Sequence, residues 1–449
     1  MAARLELSEN RIDQRGMGIT RDGDMHLSLC GLAEGPRKWF DQRYVSSTHT
    51  VHSFVKAERD GGSIPPTPVS YLMPTTIPTI QEIADALEAW APPATAQSYD
   101  NVGLQVGDPR RVAGRVLLAL DLTPAVVDEA IARSASLIIT HHPLIFRPLR
   151  HITTGAFVNN LAFRLAEAGI ALYSAHTNLD AADGGVSFAL AESLGLEDVQ
   201  FLEPVKHASF RVTTRVDASD AVLLRTTLGT AGARHIRAFE THSLRFDGAQ
   251  EMVETVPFYL SAGATAAPFG GEVTFEFVID EWALPHVRRA IEAVNLVCAD
   301  ECEIVRLEGN SPRSGLGAVG YLATTEPLGR FLQRVGECLE AKGLRYTGAP
   351  DMPIETVAVC GGSGSDLIAR AISAGADAFV TADVTYHRFF DVLDADGCPR
   401  MALIDAGHYE TEAMTVQLLS AHLKERFPAV SWMKTHTRTS PVELFVVHE

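Results

Sequence analysis

The sequence predicts an α/β protein with two similar halves and a smaller α+β segment inserted between them. Two observations support this fold class. Short apolar runs alternate with helical patterns over residues 115–196 and again over 356–428, as parallel strands and their crossover helices do. Between these segments, near residues 206–310, the predicted strands alternate apolar and polar residues, which is typical of a sheet with one solvated face.

Length and composition fit this architecture. A chain of 449 residues is too long for one compact core, so two or three domains are expected. The hydrophobic fraction of 46% and the charged fraction of 21% argue against wholesale disorder. The formal net charge of −18 makes DNA or RNA an unfavourable partner, whereas a small nucleotide needs only one local positive site.

The chain shows neither a long apolar window nor a basic start followed by an apolar run, so we expect no membrane span and no secretory signal. The cysteines are scattered, without the paired spacing of a zinc ribbon, which predicts reduced, mostly buried thiols and a cytoplasmic location. They are Cys30, Cys298, Cys302, Cys338, Cys360 and Cys398.

The N-terminal segment differs from the rest. Residues 1–72 mix charges without a period and end in a Gly/Pro/Ser-rich stretch, which predicts a disordered leader or a non-native extension, with Met73 as the functional start. Thr79 is predicted to cap the first helix. The predicted organisation is a leader over 1–72, an N-terminal half over 73–205, an inserted domain over 206–314 and a C-terminal half over 315–449, with 311–317 as the return linker.

The two halves and the insert each consist of alternating or successive strands and helices. The N-terminal half has predicted strands at 115–122, 136–142 and 170–180 and helices at 124–134, 158–169 and 188–196. The insert has strands at 210–217, 272–280 and 302–309 and a helix at 283–297. The C-terminal half has helices at 328–343, 365–376 and 408–427 and strands at 356–362, 377–383 and 401–407. Ligands of such sheets bind outside the carboxyl ends of the strands, so polar residues there are the candidate site.

The first candidates end the strand 136–142. His141 and His142 follow an apolar run and precede Pro143. Neighbouring strand residues point to opposite faces, but the chain can bend at a strand end, so the two imidazoles can serve two neighbouring ions. The alternative is a histidine pair that caps a buried strand.

Two further strand ends carry candidates. Asp180 can bind a hard or borderline cation, and His176 can be a ligand or can orient one; the alternative for Asp180 is a turn residue. His408 and Glu412 are four residues apart at a helix start, so they share one helix face. Their alternative is a surface His–Glu contact, and Glu410 is expected to face elsewhere.

Together these positions supply three imidazoles and two carboxylates. That is more than one tetrahedral zinc needs, whereas two ions about 3.5–4 Å apart that share one carboxylate use them all. Nitrogen and oxygen ligands without thiolate suit Zn, Fe, Mn or Co and do not choose among them. The predicted ligands are His141, His142, Asp180, His408 and Glu412.

Two more motifs are candidates for substrate contacts. A strand, a glycine turn and a helix start offer backbone N–H groups to a phosphate, with a tight turn beside the metals as the alternative. The predicted phosphate residues are Gly361, Gly362, Ser363, Gly364 and Ser365. Asp383 and His387 also follow a strand, and a general acid/base role or a role in orienting a metal ligand is predicted for them.

Several segments together resemble the dinuclear-metal family called GTP cyclohydrolase I type 2, or Nif-three-like. The resemblance covers about residues 76–205 and 315–447. It rests on residues 98–109, 117–131, 140–146, 176–196, 360–368, 381–387 and 405–412.

The resemblance implies two divalent ions on the five predicted ligands, with Glu412 bridging, a ring-shaped homohexamer, and an inserted domain like the PII signalling proteins. The implied activity is a metal-dependent hydrolysis that opens the imidazole ring of GTP to give formate and dihydroneopterin triphosphate. Open coordination positions on two ions favour an enzyme. The alternatives are a non-catalytic metal (iron) chaperone and a regulatory metal-binding scaffold.

Overall fold

A computed structural model describes residues 76–205, 207–245, 251–258, 272–294, 302–308 and 313–445. The predicted leader and the start at Met73 lie outside these residues. Within the described ranges, every helix is too short or too polar to cross a membrane.

The described residues form sixteen strands and eleven α-helices. The strands are β1 Gly103–Val106, β2 Arg115–Ala119, β3 Leu137–Thr140, β4 Ala171–Ser174, β5 Leu196–Val205, β6 Ser209–Asp217, β7 Arg234–Arg245, β8 Glu251–Phe258, β9 Glu272–Asp280, β10 Glu303–Leu307, β11 Ser314–Pro327, β12 Arg345–Tyr346, β13 Pro353–Ser363, β14 Ala378–Ala382, β15 Ala402–Asp405 and β16 Ser431–Lys434. The α-helices are α1 Ile80–Trp90, α2 Pro124–Ala132, α3 Phe157–Ala168, α4 Thr177–Asp180, α5 Val186–Ser193, α6 Ala221–Thr230, α7 Leu284–Val294, α8 Leu328–Cys338, α9 Ile368–Ser373, α10 His408–Glu412 and α11 Thr415–Arg426.

The N-terminal half is built on a sheet of order β1-β4-β3-β2-β16. Strands β2, β3 and β4 run parallel, as their spacing predicts. Their side chains alternate between two cores: Leu118 and Ile139 pack towards α1, whereas Leu117 and Ile138 pack towards α2 and α3. Helix α1 begins at the predicted cap, because Thr79 Oγ1 accepts a hydrogen bond from the Glu82 N–H at 3.2 Å.

The C-terminal half is built on a sheet of order β12-β15-β14-β13-β11-β5, in which β13, β14 and β15 run parallel. The predicted pair of α/β halves is thus confirmed. The two sheets exchange strands across the chain: β5 joins the C-terminal sheet through β11, and β16 joins the N-terminal sheet beside β2. This exchange ties the halves into one unit.

The inserted α+β domain is also present, as an antiparallel sheet of order β10-β6-β9-β7-β8. Its apolar face packs against α6 and α7 around Phe275 and Phe277. The polar–apolar alternation predicted the buried and exposed faces of β6 and β9 correctly, whereas β10 is wrong in this respect, because its apolar residues Ile304 and Val305 are exposed.

The predicted return linker over 311–317 is wrong from Ser314 onward. Strand β11 starts there and pairs with β5, with Ser314 opposite Val205. The glycines that suggested a linker allow close strand contact: a Cβ at Gly315 would lie 2.7 Å from the Glu203 carbonyl oxygen. Glycine is needed here for close backbone approach rather than for flexibility.

Several element boundaries differ from prediction, and three of the differences matter for the fold or the site. The strand predicted over 170–180 ends at Ser174, and Asp180 lies on α4. The helix predicted over 365–376 is a 3₁₀ turn at Ser365–Leu367 followed by α9. The C-terminal helix is two helices, because the chain turns between α10 and α11.

Four cysteines lie in the described residues and all are unpaired. Cys338 and Cys398 are exposed, and Cys302 and Cys360 are half-buried, so the expectation of mostly buried thiols is wrong for these four. Cys30 and Cys298 lie outside the described residues.

Candidate metal centre

The candidate site lies where strand ends of the two sheets face each other. His141 and His142 directly follow β3, and Asp180 follows β4 on α4. His408 and Glu412 follow β15 on α10, after a turn in which Gly407 has a φ of 91°. The structure therefore brings all five predicted ligands together, from strand ends of both halves, as the sheet rule predicts.

Glu412 lies at the centre of the cluster. Its Oε1 is 3.7 Å from His141 Nε2. Its Oε2 is 3.0 Å from His142 Nε2 and 3.2 Å from His408 Nε2. His141 Nε2 is in turn 3.5 Å from Asp180 Oδ1. The two oxygens of one carboxylate thus face different groups, which is the arrangement that a shared ligand requires.

Three atoms at the centre are buried without a hydrogen-bond partner among the described residues. They are His141 Nε2, Asp180 Oδ1 and Glu412 Oε2. A buried polar atom left unpaired costs about 1–3 kcal/mol, so three in one place need an explanation. Divalent cations would satisfy all three, and the nitrogen and oxygen donors fit Zn, Fe, Mn or Co.

The other ring nitrogen of each histidine is held by an acceptor. His142 Nδ1 lies 2.7 Å from Asp121 Oδ1, and His408 Nδ1 lies 2.7 Å from Asp383 Oδ2. His141 Nδ1 lies 2.8 Å from the Ala175 carbonyl oxygen. Because a proton on Nδ1 serves these acceptors, Nε2 of the neutral ring presents a lone pair to the centre, as metal-binding histidines do.

His176 also belongs to the cluster. Its ring nitrogen and those of His141 and His142 come within 4.8 Å of one another. Its Nδ1 is 2.9 Å from both oxygens of Asp100, a carboxylate that Thr177 also contacts. Burial opposes ionisation of Asp100, but hydrogen bonds from His176 and Thr177 outweigh it and hold its pKa well below the usual range.

Asp100 and Asp121 are the site residues that sequence reasoning missed. Asp121 had a usable signal, since it follows the end of β2 at the same sheet edge as the predicted ligands. Burial is outweighed by hydrogen bonds from His142 and Thr439, which lower its pKa. Asp100 follows no strand end, because it precedes β1; the available signal was its place in the segment 98–109, which carries the family resemblance.

The predicted catalytic pair is separated. Asp383 Oδ2 lies 2.7 Å from His408 Nδ1, a contact that fits the predicted orienting role, and its backbone is left-handed with a φ of 54°. His387 lies in a 3₁₀ turn at Tyr386–Phe390, where it is exposed and contacts the Tyr386 ring at 5.4 Å between centroids. A general acid/base role for either residue stays a prediction.

The predicted phosphate turn lies against the metal ligands. The Gly362 N–H donates to Thr411 Oγ1 at 3.0 Å, and the Gly364 N–H donates to Thr381 Oγ1 at 2.9 Å. Two of the N–H groups expected to bind phosphate are therefore already paired. The phosphate role of Gly361, Gly362, Ser363, Gly364 and Ser365 stays a prediction, and the alternative of a tight turn beside the metals describes their observed packing.

Comparison with known proteins places this architecture in a family. The model of the family described as Duf34/NIF3 (NGG1p interacting factor 3) matches residues 78–441. The chain belongs to the Duf34/NIF3 family. Proteins named GTP cyclohydrolase 1 type 2 homolog are 33% identical in Halalkalibacterium halodurans, over 73% of this chain and 88% of the relative, and 32% identical in Bacillus subtilis, over 80% and 97%. A crystal structure of a Bacillus cereus protein related to NIF3 is 33% identical, with a TM-score of 0.61 over 82% of this chain and 99% of that one.

Electrostatics favour protonated histidines in this Duf34/NIF3 centre when it holds no metal. Burial lowers the pKa of His142, but Asp121 and Glu412 outweigh it and raise the pKa to about 10. The close Glu412 carboxylate, together with Asp383, raises the pKa of His408 to about 9 against the effect of burial. Burial and the nearby carboxylates of Asp180 and Glu412 raise the pKa of the Cys360 thiol, so it does not compete as a thiolate ligand.

Metal uptake by this Duf34/NIF3 chain should therefore release protons. A ligating imidazole is neutral, so at pH 7 a metal must displace about one proton each from His142 and His408. We expect affinity to rise with pH through about 9 and 10, where the two rings lose these protons unaided. Titration calorimetry of zinc in buffers of different ionisation enthalpy measures the proton count. Zinc binding at pH 7 without proton release would contradict this prediction.

Proposed function

We propose that this Duf34/NIF3 protein is a dinuclear metal-dependent hydrolase that opens the imidazole ring of GTP. The observation that carries the proposal is the position of Glu412, whose two carboxylate oxygens face different imidazoles. His141 and Asp180 would hold one ion and His142 and His408 the other, with Glu412 shared. Bound divalent ions would supply water activation and polarisation of the substrate.

The protein's own residues prepare the site for that chemistry. Asp121 and Asp383 fix the orientation of His142 and His408 through their Nδ1 atoms. The side chain of His141 is fully buried, whereas those of His408 and Asp383 are 38% and 54% exposed. A substrate therefore enters from the side of His408, where Asp383 Oδ2 can hold or pass a proton.

The substrate class follows from the relatives and from the site together. Two relatives carry the name GTP cyclohydrolase 1 type 2 homolog. The imidazole ring is opened and formate released by two additions of water, after which the sugar rearranges and a new ring closes with loss of one water; divalent ions would supply the water activation and polarisation for the hydrolytic steps. We further propose a cytoplasmic location, as the cysteine pattern predicts, and a homohexamer, as the family resemblance of the sequence implies.

The test is a product assay on the full chain. Protein loaded in turn with Zn, Mn or Fe(II) is incubated with GTP, and formate and the pterin are measured. We expect formate release that depends on the metal and disappears after chelation. Full occupancy by two ions without turnover of GTP would overturn the proposal in favour of another substrate or of metal delivery.

Metal (iron) delivery is the second candidate, and one observation favours it. His408 and its partner Asp383 are both partly open to solvent, so an ion on that side can exchange. If delivery is the function, Fe(II) should pass from the loaded protein to a competing chelator much faster than one catalytic ion of a hydrolase would leave. Retention of both ions during a GTP turnover assay would exclude this candidate.

A further inference from the structure

A second cavity lies between the inserted domain and the N-terminal half, and it is lined by residues other than those of the metal centre. Its volume is about 860 Å³. Its lining includes Arg234 and Trp282 of the inserted domain, Glu88 and Trp90 of α1, and Arg313 from the segment before β11. This volume falls in the range of small-molecule sites.

One end of the cavity carries excess positive charge. Asp280 forms an ion pair with Arg234, and its other oxygen is 3.7 Å from Arg313 Nε. The same carboxylate accepts a hydrogen bond from Ser209 Oγ at 2.7 Å. Two guanidinium groups thus share one carboxylate, which leaves a net positive charge on the wall of the cavity.

Arg234 also has an unused donor. Its Nε is buried without a hydrogen-bond partner among the described residues. Burial lowers the pKa of Arg234, and the neighbouring charge of Arg313 acts in the same direction. An anionic oxygen would supply the missing acceptor and offset the crowding of positive charge.

The rest of the cavity suits a flat ring. Trp90 has one face stacked on His422, with centroids 4.0 Å apart. Trp282 contacts His207 edge to face at 4.6 Å. The lining residues Ala233 and Ala283 are small, which leaves room beside the indoles. Aromatic walls bind flat ring systems through stacking and edge contacts.

The balance of charges around the cavity limits the charge of the ligand. Asp85, Glu88 and Asp280 line it together with Arg234, Arg313 and Arg426. Burial and the nearby charge of Asp85 raise the pKa of Glu88. Because these carboxyl groups already offset much of the positive charge, a single phosphate is favoured over a polyphosphate, which would bring more negative charge to the same lining.

We propose that this cavity binds a small aromatic anion of the nucleoside monophosphate class, with its phosphate at Arg234 and Arg313 and its ring between Trp90 and Trp282. This site is independent of the metal centre and of the proposed hydrolase activity. Its ligand differs from the proposed GTP substrate in lacking the two terminal phosphates.

The experiment titrates adenosine monophosphate into the metal-free full chain and follows heat and tryptophan fluorescence. We expect saturable binding, and Arg313→Gln should weaken it at least about tenfold, since hydrogen bonds to charged groups are the strong ones. Arg237→Gln is the matched control, because Arg237 lies on the same inserted sheet and pairs with Glu276 at 3.8 Å instead of lining the cavity. It should bind like the unchanged protein, and so should Glu412→Gln.

A second variant tests the ring contact. Trp282→Leu should bring the affinity for adenosine monophosphate close to that for inorganic phosphate, while phosphate binding itself stays unchanged. Three outcomes would overturn the proposal: no saturable binding to the unchanged protein, equal effects of Arg313→Gln and Arg237→Gln, or loss of binding in Glu412→Gln. The last outcome would place the nucleotide at the metal centre instead.

Discussion

Glu412→Gln should remove both ions and abolish formate release from GTP. The substituted amide would keep the size of the side chain but would lose the charge and one of the two ligand oxygens that face His141 and His142. Residues that merely orient a metal ligand contribute about 10–100-fold to affinity, so a ligand shared by two ions should contribute more. Elemental analysis of purified protein, beside a zinc titration of the metal-free form, measures the loss.

The matched control for this change is Glu410→Gln. Glu410 lies on the same helix α10, but its Oε1 pairs with Arg438 at 2.7 Å, away from the histidines. The same chemical change two residues away should leave metal content unaltered. Circular dichroism of both variants should match the unchanged protein, since an amide has nearly the same size and shape as the carboxylate that it replaces. Two ions per chain in Glu412→Gln would refute the shared-ligand assignment.

The proximity of the five predicted ligands could be anticipated because it depends on topology. His141, Asp180 and His408 each follow a buried apolar strand, and the carboxyl ends of parallel strands meet at one edge. Strand type and direction are encoded locally, in apolar runs separated by helical patterns. The sequence therefore predicts the neighbourhood without predicting any distance.

What the sequence could not predict depends on contacts between distant segments. Asp100 orients His176 from 76 positions earlier in the chain, and a lone Asp before a short strand gives no sign of it. The exchange of β5 and β16 between the sheets likewise depends on tertiary packing. Each strand has the pattern of an ordinary edge strand, which does not specify the sheet that it joins. The glycines at Gly315 and Gly317 were misread because close packing and flexibility favour the same residue.

The glycine turn at 361–364 combines both cases. Its glycine pattern can be read from the sequence, but the residues against which it packs cannot. A phosphate cradle is predicted and stays a prediction, and the turn packs against the Glu412 carboxylate. A Cβ at Gly362 would lie 2.2 Å from Glu412 Oε1 and 3.2 Å from His408 Nε2. The position also has a φ of 60°, which favours glycine. Because Gly362 has no side chain, the Glu412 carboxylate has room beside it.

Gly362→Ala is therefore expected to weaken metal binding without a change to any ligand. The added methyl group must displace the Glu412 carboxylate, which cannot then face His141 and His142 at once. We expect a loss in zinc affinity of about 10–100-fold, the scale seen when a ligand is misoriented. A competition titration against a chromophoric chelator measures the affinity.

Gly362→Ala can lower zinc affinity through backbone strain as well as through displacement of Glu412. Gly375→Ala is the control that shows the effect of backbone strain alone. Gly375 has a similar φ of 74°, but a Cβ there meets no atom within 4 Å. Both changes should cost about 1–2 kcal/mol of unfolding free energy, because both force alanine into the left-handed region. Only Gly362→Ala should also lose zinc affinity. Equal zinc affinities in the two variants would mean that Glu412 can move aside without loss, and a carboxylate so free to move could not be the ligand that holds two ions together.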